Sequence, residues 1–233
     1  MLVENNLSNY QQFCPMAMAY ELLCKRWTII ILRELHLGSS KFNQIKCGVP
    51  RISPTLLSRR LKELEADGLL KIHRNPDNKK NTKYLLTNSG KKTFHILTSL
   101  GEWGKDWFKQ QAVTDNAEPQ LLMWDLQRNI KINKLPQRKI VIQFKFSEVY
   151  KFKNWWLIYD PKIGIDLGMS DPGLEIDAIF ETSPKTLAAI HMGYNSIKEM
   201  EIQKSIKLMG DPAIIDNAQS WLGTSYFGES SKS

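Results

Sequence analysis

The segment from Arg51 to Leu70 most constrains the fold, because it encodes a short helix with both ends marked and then continues into a candidate strand. Ser53 can accept hydrogen bonds from the first free backbone N–H groups, and Pro54 suits the first helical position. Gly68 can adopt the left-handed conformation that ends a helix. The sequence therefore predicts a capped helix between Ser53 and Gly68.

This predicted helix has two different faces. At about 100° per residue, one side is apolar, formed by Leu56, Leu57, Leu61 and Leu64. The other side is polar and basic, formed by Thr55, Ser58, Arg59 and Lys62. The polar side has the character of a surface that enters a DNA major groove. Arg60 projects near the leucines, where it can snorkel, pair with a carboxylate or touch a phosphate.

Three further segments join this helix in a resemblance to a known family. They are Phe13-Cys14-Pro15, the run from Lys25 to Leu35, and the run from Tyr84 to Gly90. Together the four segments make residues 10–110 similar to the HxlR-type winged-helix transcriptional regulators, which are related to the MarR group. The resemblance implies a mainly α winged helix-turn-helix domain with a two-stranded wing, which binds double-stranded DNA as a homodimer.

The elements around the recognition helix follow from the same patterns. Helices are predicted over 16–24, 27–37 and 41–46, and strands over 69–74 and 82–86. The strands flank a lysine-rich turn, in which Lys79 and Lys80 are expected to grip the DNA backbone. Lys41 and Arg51 are expected near the nucleic acid as well.

A long helix predicted over 89–110 carries a stripe of large apolar residues. The stripe consists of Phe94, Leu97, Leu100, Trp103, Trp107 and Phe108. We expect Leu97, Leu100, Trp103 and Trp107 to form a dimer interface, because a small domain cannot easily cover such a stripe alone. A two-fold dimer would in turn require an inverted-repeat operator. The alternative is that the stripe packs within the chain, on the first helix or on a second domain.

The charge is concentrated in the first half of the chain. Residues 1–113 contain 18 Lys and Arg against 9 Asp and Glu, whereas residues 114–233 contain 14 against 15. A basic half joined to a near-neutral half is typical of one module that meets a polyanion and one that does not, although a solvated basic face is the simpler alternative. With 42% hydrophobic residues, 233 residues suffice for two packed cores.

The second half predicts an α+β domain over 120–233, separated from the winged helix (1–113) by a linker over 114–119. A helix near 121–129 precedes alternating runs around 140–146, 156–158, 163–167 and 176–180, which predict a half-buried, antiparallel-rich sheet covered by helices. A helix is expected from Ser183-Pro184 to Gly193, then a strand near 205–209 and a helix from Pro212 to Leu222.

This second half resembles the sterol-carrier-protein-2-like domain that follows some HxlR-type winged helices. The segments that carry the resemblance are 171–177, 186–193 and 207–227. It implies an apolar cavity between sheet and helices, with Trp156, Phe180, Ile190 and Trp221 as candidate ligand contacts and an apolar small molecule as possible effector. An ordinary packed core is the alternative. Trp155 and Trp156 are adjacent on a strand, so only one is expected in that core.

Three cysteines without a CxxC pair indicate neither a disulfide framework nor a structural zinc site. Cys14 is the candidate redox residue, because a thiol just before a helix can have a lowered pKa, and some members of the resembled family sense thiol chemistry there. A half-buried packing role is the alternative. No enzyme motif, cofactor or metal site is indicated, and a cytoplasmic location without membrane insertion is expected. A lipid carrier whose winged helix serves protein contacts remains the alternative function.

Overall fold

A computed structural model describes residues 10–74 and 81–229 of the chain. The contacts between Cα atoms divide the chain into two compact units, Met1–Trp103 and Gly104–Ser233. The first unit contains most of the predicted winged helix, and the second contains the predicted α+β domain. No helix in the described ranges is long and apolar enough to cross a membrane.

The first unit is a winged helix-turn-helix. Its elements are the helices α1 (Pro15–Leu23), α2 (Thr28–His36), α3 (Phe42–Gly48), α4 (Pro54–Ala66) and α5 (Asn88–Trp107) and the strands β1 (Leu70–His73) and β2 (Lys83–Leu86). The two strands pair antiparallel, from Leu70 opposite Leu86 to His73 opposite Lys83. All predicted elements of this unit are present, with ends shifted by a few residues.

The core of the first unit joins the helix-turn-helix to the base of the wing. Its buried apolar residues are Leu23, Ile31, Leu32, Leu35, Ile45, Val49, Ile52, Leu57, Leu61, Leu64, Leu69 and Leu70. The leucines of α4 are therefore the contacts that hold the polar face of this helix outward. Gly38 and Gly68 both have left-handed backbones, with φ of 89° and 71°, as expected for residues that end helices.

The second unit is an α+β domain. Its elements, after the end of α5, are α6 (Gln110–Asp115), α7 (Pro119–Asn129), a 3₁₀ turn (Ile132–Lys134), β3 (Ile140–Phe146), β4 (Asn154–Asp160), β5 (Gly164–Gly168), β6 (Ala178–Thr182), α8 (Pro184–His191), α9 (Ile197–Ile202), β7 (Ile206–Gly210), α10 (Pro212–Ile215), α11 (Ala218–Leu222) and α12 (Tyr226–Glu229). The helix predicted from Pro212 to Leu222 is thus two short helices, α10 and α11.

The sheet is mixed rather than uniformly antiparallel. Its strand order is β5-β4-β3-β6-β7, and β3 pairs parallel with β6 while the other three pairings are antiparallel. The central strand β3 is buried on both faces except at Lys145, so it is not the half-buried strand that alternation predicted. Alternation along one strand does not encode its partner, and this is why the parallel pairing was not foreseen.

The predicted domain boundary and the division by contacts lie at different places. The sequence placed the end of the first domain at residue 113 and a linker over 114–119, whereas the contacts divide the chain after Trp103, within α5. The predicted helix 89–110 is represented by α5 and the start of α6, and α6 extends into the predicted linker. α6 packs on α8, which associates these residues with the second unit.

Candidate nucleic-acid interface

The helix α4 presents the polar face that the sequence predicts. Ser53 caps it, since its side-chain oxygen accepts a hydrogen bond from the backbone N–H of Leu56 at 3.2 Å. Leu57, Leu61 and Leu64 are buried, so the helix cannot rotate without exposing them. On the opposite side, Thr55, Arg59 and Lys62 are exposed and Ser58 is half-buried.

The two arginines of α4 have different surroundings. Arg59 is exposed, and its Nε lies 3.7 Å from Glu63 in a surface ion pair, a type that contributes little stability. Arg60 is mostly buried, and it donates to the carbonyl oxygen of Arg26 at 3.2 Å and to the Glu63 carboxylate. Arg60 therefore makes its contacts within the unit, as its position near the leucines predicted. The guanidinium of Arg59, by contrast, can leave Glu63 and bind another acceptor.

Cationic side chains flank this face on the neighbouring elements. Lys41 and Arg51 are exposed at the start of α3 and in the turn before α4. Lys46, in contrast, makes a hydrogen bond within the unit, because its Nζ donates to the carbonyl oxygen of Pro50 at 2.6 Å. Gln44 caps α3 by accepting the backbone N–H groups of Ser40 and Lys41, both at 3.0 Å.

The base of the wing is held to α4. Arg74, directly after β1, donates to the carboxylate of Glu65 at 3.0 Å, and the same carboxylate accepts the backbone N–H of Ile72 at 3.2 Å. Lys79 and Lys80, the predicted backbone contacts, lie outside the described residues. The wing therefore starts from a fixed point beside the proposed recognition helix.

Apolar side chains are exposed on α1 and α5 and directly beside their ends, and we refer to them together as the exposed apolar surface. The surface includes Phe13, Met16, Met18, Tyr20, Ile96, Leu100, Trp103, Trp107 and Phe108. Leu97, by contrast, is half-buried and packs against the core. Phe94 is 38% exposed, and its ring lies tilted against that of His36 with centroids 5.4 Å apart. The outward stripe on α5 is thus Ile96, Leu100, Trp103 and Trp107. Sequence analysis missed Ile96, although steps of four, three and four residues connect these four positions.

Cys14 occupies the N-cap position of α1, and Pro15 is the first helical residue. The backbone N–H groups of Ala17 and Met16, in the first turn of α1, lower the pKa of this thiol below its ordinary value, because their positive ends stabilise the thiolate. The side chain is half-buried, whereas Cys24 and Cys47 are exposed, and none of these three cysteines, all within the described ranges, is joined in a disulfide. The Cys14 thiol is therefore partly accessible to solvent, and its reactive form, the thiolate, is stabilised.

The four candidate ligand contacts of the second unit do not lie together. Phe180, Ile190 and Trp221 are completely buried in one core, in which the Phe180 and Trp221 rings are 5.7 Å apart. Phe180 is opposite Phe144, which is opposite Trp155, so these three side chains share one face of the sheet. Trp156 is opposite Gln143 and points to the other face. The register therefore separates Trp156 from the other three residues.

Fold and surface together define a winged helix-turn-helix protein with a second α+β unit. The sequence model of the HxlR-like helix-turn-helix family matches residues 22–112. The chain is 36% identical over 100 residues to the uncharacterized HTH-type transcriptional regulator YvaP of Bacillus subtilis, covering 42% of this chain and 93% of the relative. It is 33% identical over 91 residues to the HTH-type transcriptional regulator YodB of the same organism, covering 39% and 81%.

The chain therefore belongs to the HxlR-like helix-turn-helix family, whose named relatives are transcriptional regulators. Among solved structures, the reduced form of YodB from B. subtilis is 28% identical to this chain, with a TM-score of 0.37. That similarity covers 42% of this chain and 97% of the YodB chain. The family model ends within α6, so it leaves most of the second unit outside.

Proposed function

We propose that this chain is a transcriptional regulator that binds double-stranded DNA with sequence preference and acts as a homodimer. The observation that carries the proposal is the polar, cationic face of α4, held outward by three buried leucines in a chain of the HxlR-like family. A helix of this kind can enter a major groove and offer hydrogen bonds to base edges. The concentration of positive charge in residues 1–113 supplies the accompanying attraction to phosphates.

In this proposal Arg59 reads a base, with Thr55, Ser58 and Lys62 at neighbouring base edges or phosphates. Arg59→Ala is expected to weaken binding to the preferred duplex by about 1–3 kcal/mol and to relax preference at one base pair. The preferred duplex is first selected from a random pool by the wild-type protein, and affinities are then measured by fluorescence anisotropy. Unchanged affinity and preference would remove Arg59 from the reading face.

Lys79 and Lys80 provide the contrasting experiment, because phosphate contacts carry no sequence information. Replacing both by alanine is expected to weaken binding to all duplexes alike. The slope of log affinity against log salt should decrease by up to about one unit for each lysine. A loss confined to the preferred duplex would contradict a backbone role for the wing.

We further propose that the homodimer forms through α1 and the outward stripe of α5. Leu100, Trp103 and Trp107 support this assignment, because they are large, exposed and on one side of the helix. Leu97 would then support the dimer interface indirectly, because it packs α5 against the core of the first unit. A two-fold dimer would bring two α4 helices to one side, about one turn of DNA apart, and the operator would be an inverted repeat.

Cys14 is proposed as a thiol switch on this dimer. The support is its place at the start of α1, beside the exposed apolar residues Phe13 and Met16, together with its lowered pKa. Oxidation or alkylation would change size and polarity at that surface and thereby alter DNA affinity. Mild diamide should change the operator affinity of the wild type and leave that of Cys14→Ser unchanged. Equal responses would leave Cys14 as a packing residue.

For the second half we propose a sterol-carrier-protein-2-like module over 120–233, joined to 1–113 through 114–119. The order of helices and strands supports this proposal, and the closed packing of Phe180, Ile190 and Trp221 means that a ligand would have to displace core side chains. Native mass spectrometry of the purified protein tests for a bound apolar molecule. If a ligand is found, operator binding with and without it tests whether it regulates.

A further inference from the structure

Glu34 is a carboxylate buried within the apolar helix α2, with a side chain that is 1% exposed. Arg33 Nη2 donates to it at 3.0 Å, and the hydroxyl of Ser39 donates at 3.2 Å. The Arg33 side chain is 40% exposed and keeps much of its hydration, whereas the carboxylate loses its own, and this desolvation opposes what the ion pair contributes. Stability is therefore a weak reason for a carboxylate at this position.

The carboxylate occupies space that only a glycine leaves open. Gly48 is the last residue of α3, and a Cβ added to it would lie 1.9 Å from Cδ of Glu34. Arg33 Nη2 also donates to the carbonyl oxygen of Gly48, at 3.3 Å. The carboxylate and guanidinium of α2 thus lie against the same residue, and they hold the end of α3 by shape and by a hydrogen bond.

The end of α3 in turn determines where α4 begins. Only residues 49–53 separate the two helices. This connection is tied internally, since Ile52 N–H donates to the carbonyl oxygen of Val49 at 3.2 Å and Lys46 Nζ donates to that of Pro50 at 2.6 Å. A short connection with both ends held transmits a displacement of Gly48 to the first turn of α4.

We propose that Glu34 is a positioning residue that fixes α3 and α4 on α2 and thereby sets the sequence preference of the DNA-binding face. The proposal rests on the proposed DNA-binding function. Glu34 is buried and lies against Gly48, so its effect passes through Gly48 and the connection that follows. A buried polar group used in this way stabilises one arrangement of the helices against neighbouring ones.

The test compares Glu34→Gln with Glu102→Gln in the full chain. Each variant removes one negative charge, so the general gain in attraction to phosphate is matched, and Glu102 is exposed on α5. The measured quantity is the ratio of affinities for the selected operator and for an unrelated duplex of equal length. A smaller folded fraction lowers both affinities by the same factor, and only a displaced α4 changes their ratio.

We expect Glu34→Gln to reduce the operator preference about tenfold, in the range expected when a buried polar contact is mispaired, and Glu102→Gln to leave it unchanged. Gly48→Ala should reduce the preference as well, because its methyl group collides with the carboxylate. Combining Gly48→Ala with Glu34→Asp removes a methylene from the acid and should restore part of the preference.

A preference in Glu34→Gln within twofold of that in Glu102→Gln would overturn the positioning role. The same holds if Gly48→Ala is as selective as the wild type. Arg59→Ala separates this failure from that of the proposed function. If the wild type is selective and Arg59→Ala is not, only the role of Glu34 fails. If the wild type itself has no preference, the DNA-binding proposal fails first and the positioning role fails with it.

Discussion

Two pairs of tryptophans in this molecule have opposite environments. Trp103 and Trp107 on α5 are 55% and 69% exposed, whereas Trp155 and Trp156 on β4 are 6% and 7% exposed. All four occur in segments with periodic apolar residues, which predicted a dimer interface for Trp103 and Trp107 and a place in the core for only one of Trp155 and Trp156. The difference is that Trp155 belongs to the buried core of the second unit and Trp156 lies on the other face of the same strand, while the residues of the outward stripe of α5 belong to neither buried core.

This contrast shows how each unit buries its apolar side chains. The second unit does so internally, with Phe144, Phe180 and Trp221 at the centre of one core. The first unit buries its α4 leucines but leaves large side chains of α1 and α5 in solvent, a surface that a second copy of the chain can cover. Changes at tryptophans should therefore affect folding in one region and association in the other.

The largest expected effect on folding is at Trp221. Its side chain is completely buried, and its indole N–H donates to the carbonyl oxygen of Ile214 at 2.9 Å. Trp221→Ala should lower the free energy of unfolding of the second unit by about 3–5 kcal/mol, because it leaves a cavity and an unpaired carbonyl. Urea unfolding followed by circular dichroism measures this. Trp107→Ala is the control, and an equal loss of stability there would erase the distinction between the two regions.

Trp107→Glu should act on association instead. A charge in the proposed seam should weaken the dimer by about 3 kcal/mol and produce monomers in equilibrium sedimentation. Operator affinity should fall with the dimer. His95→Glu adds the same charge to a different face of α5 and should remain dimeric. A dimeric Trp107→Glu protein would move the interface away from α5.

A smaller effect distinguishes the two neighbours on β4. The indole N–H of Trp155 donates to the carbonyl oxygen of Phe152 at 2.9 Å, whereas within residues 10–74 and 81–229 the buried Nε1 of Trp156 has no acceptor. Trp155→Phe breaks a hydrogen bond, and Trp156→Phe removes an unsatisfied donor. Trp155→Phe should therefore be less stable than Trp156→Phe by about 1 kcal/mol in urea unfolding. The reverse order would mean that Trp156 has an acceptor in solution.

The smallest effect concerns the exposed surface near α1. Because backbone N–H groups lower the pKa of Cys14, its thiolate fraction rises at a lower pH than that of an ordinary thiol. The rate of alkylation by iodoacetamide, followed by peptide mass spectrometry between pH 6 and 10 (roughly the range in which thiols titrate), should have its midpoint below the ordinary value of 9.0. A midpoint at or above 9.0 would remove the chemical support for a switch at Cys14.

The parts of the first unit that depend on neighbouring residues were predictable. Ser53, Pro54 and Gly68 mark the ends of α4, and the spacing of the leucines determines its buried side, so the candidate DNA face follows from about twenty consecutive residues (one helix with its caps). The predicted stripe on α5 included Leu97, whereas the structure exposes its neighbour Ile96 and packs Leu97 against the core. The two residues are adjacent in sequence, and only packing decides which of them turns inward. Glu34 gave a signal as a charge within an apolar helix, but its partner Gly48 could not be inferred.

The sequence by itself determined the helices and strands of the first unit, the polarity of α4 and the uneven charge of the two halves, because caps, periodicity and composition are local properties. Only the tertiary structure decided the parallel pairing of β3 with β6, the separation of Trp156 from Phe180 and the fit of Glu34 against Gly48. Each of these joins residues that are far apart in the chain. Their contacts depend on strand order and helix packing, which a pattern along a single segment does not contain.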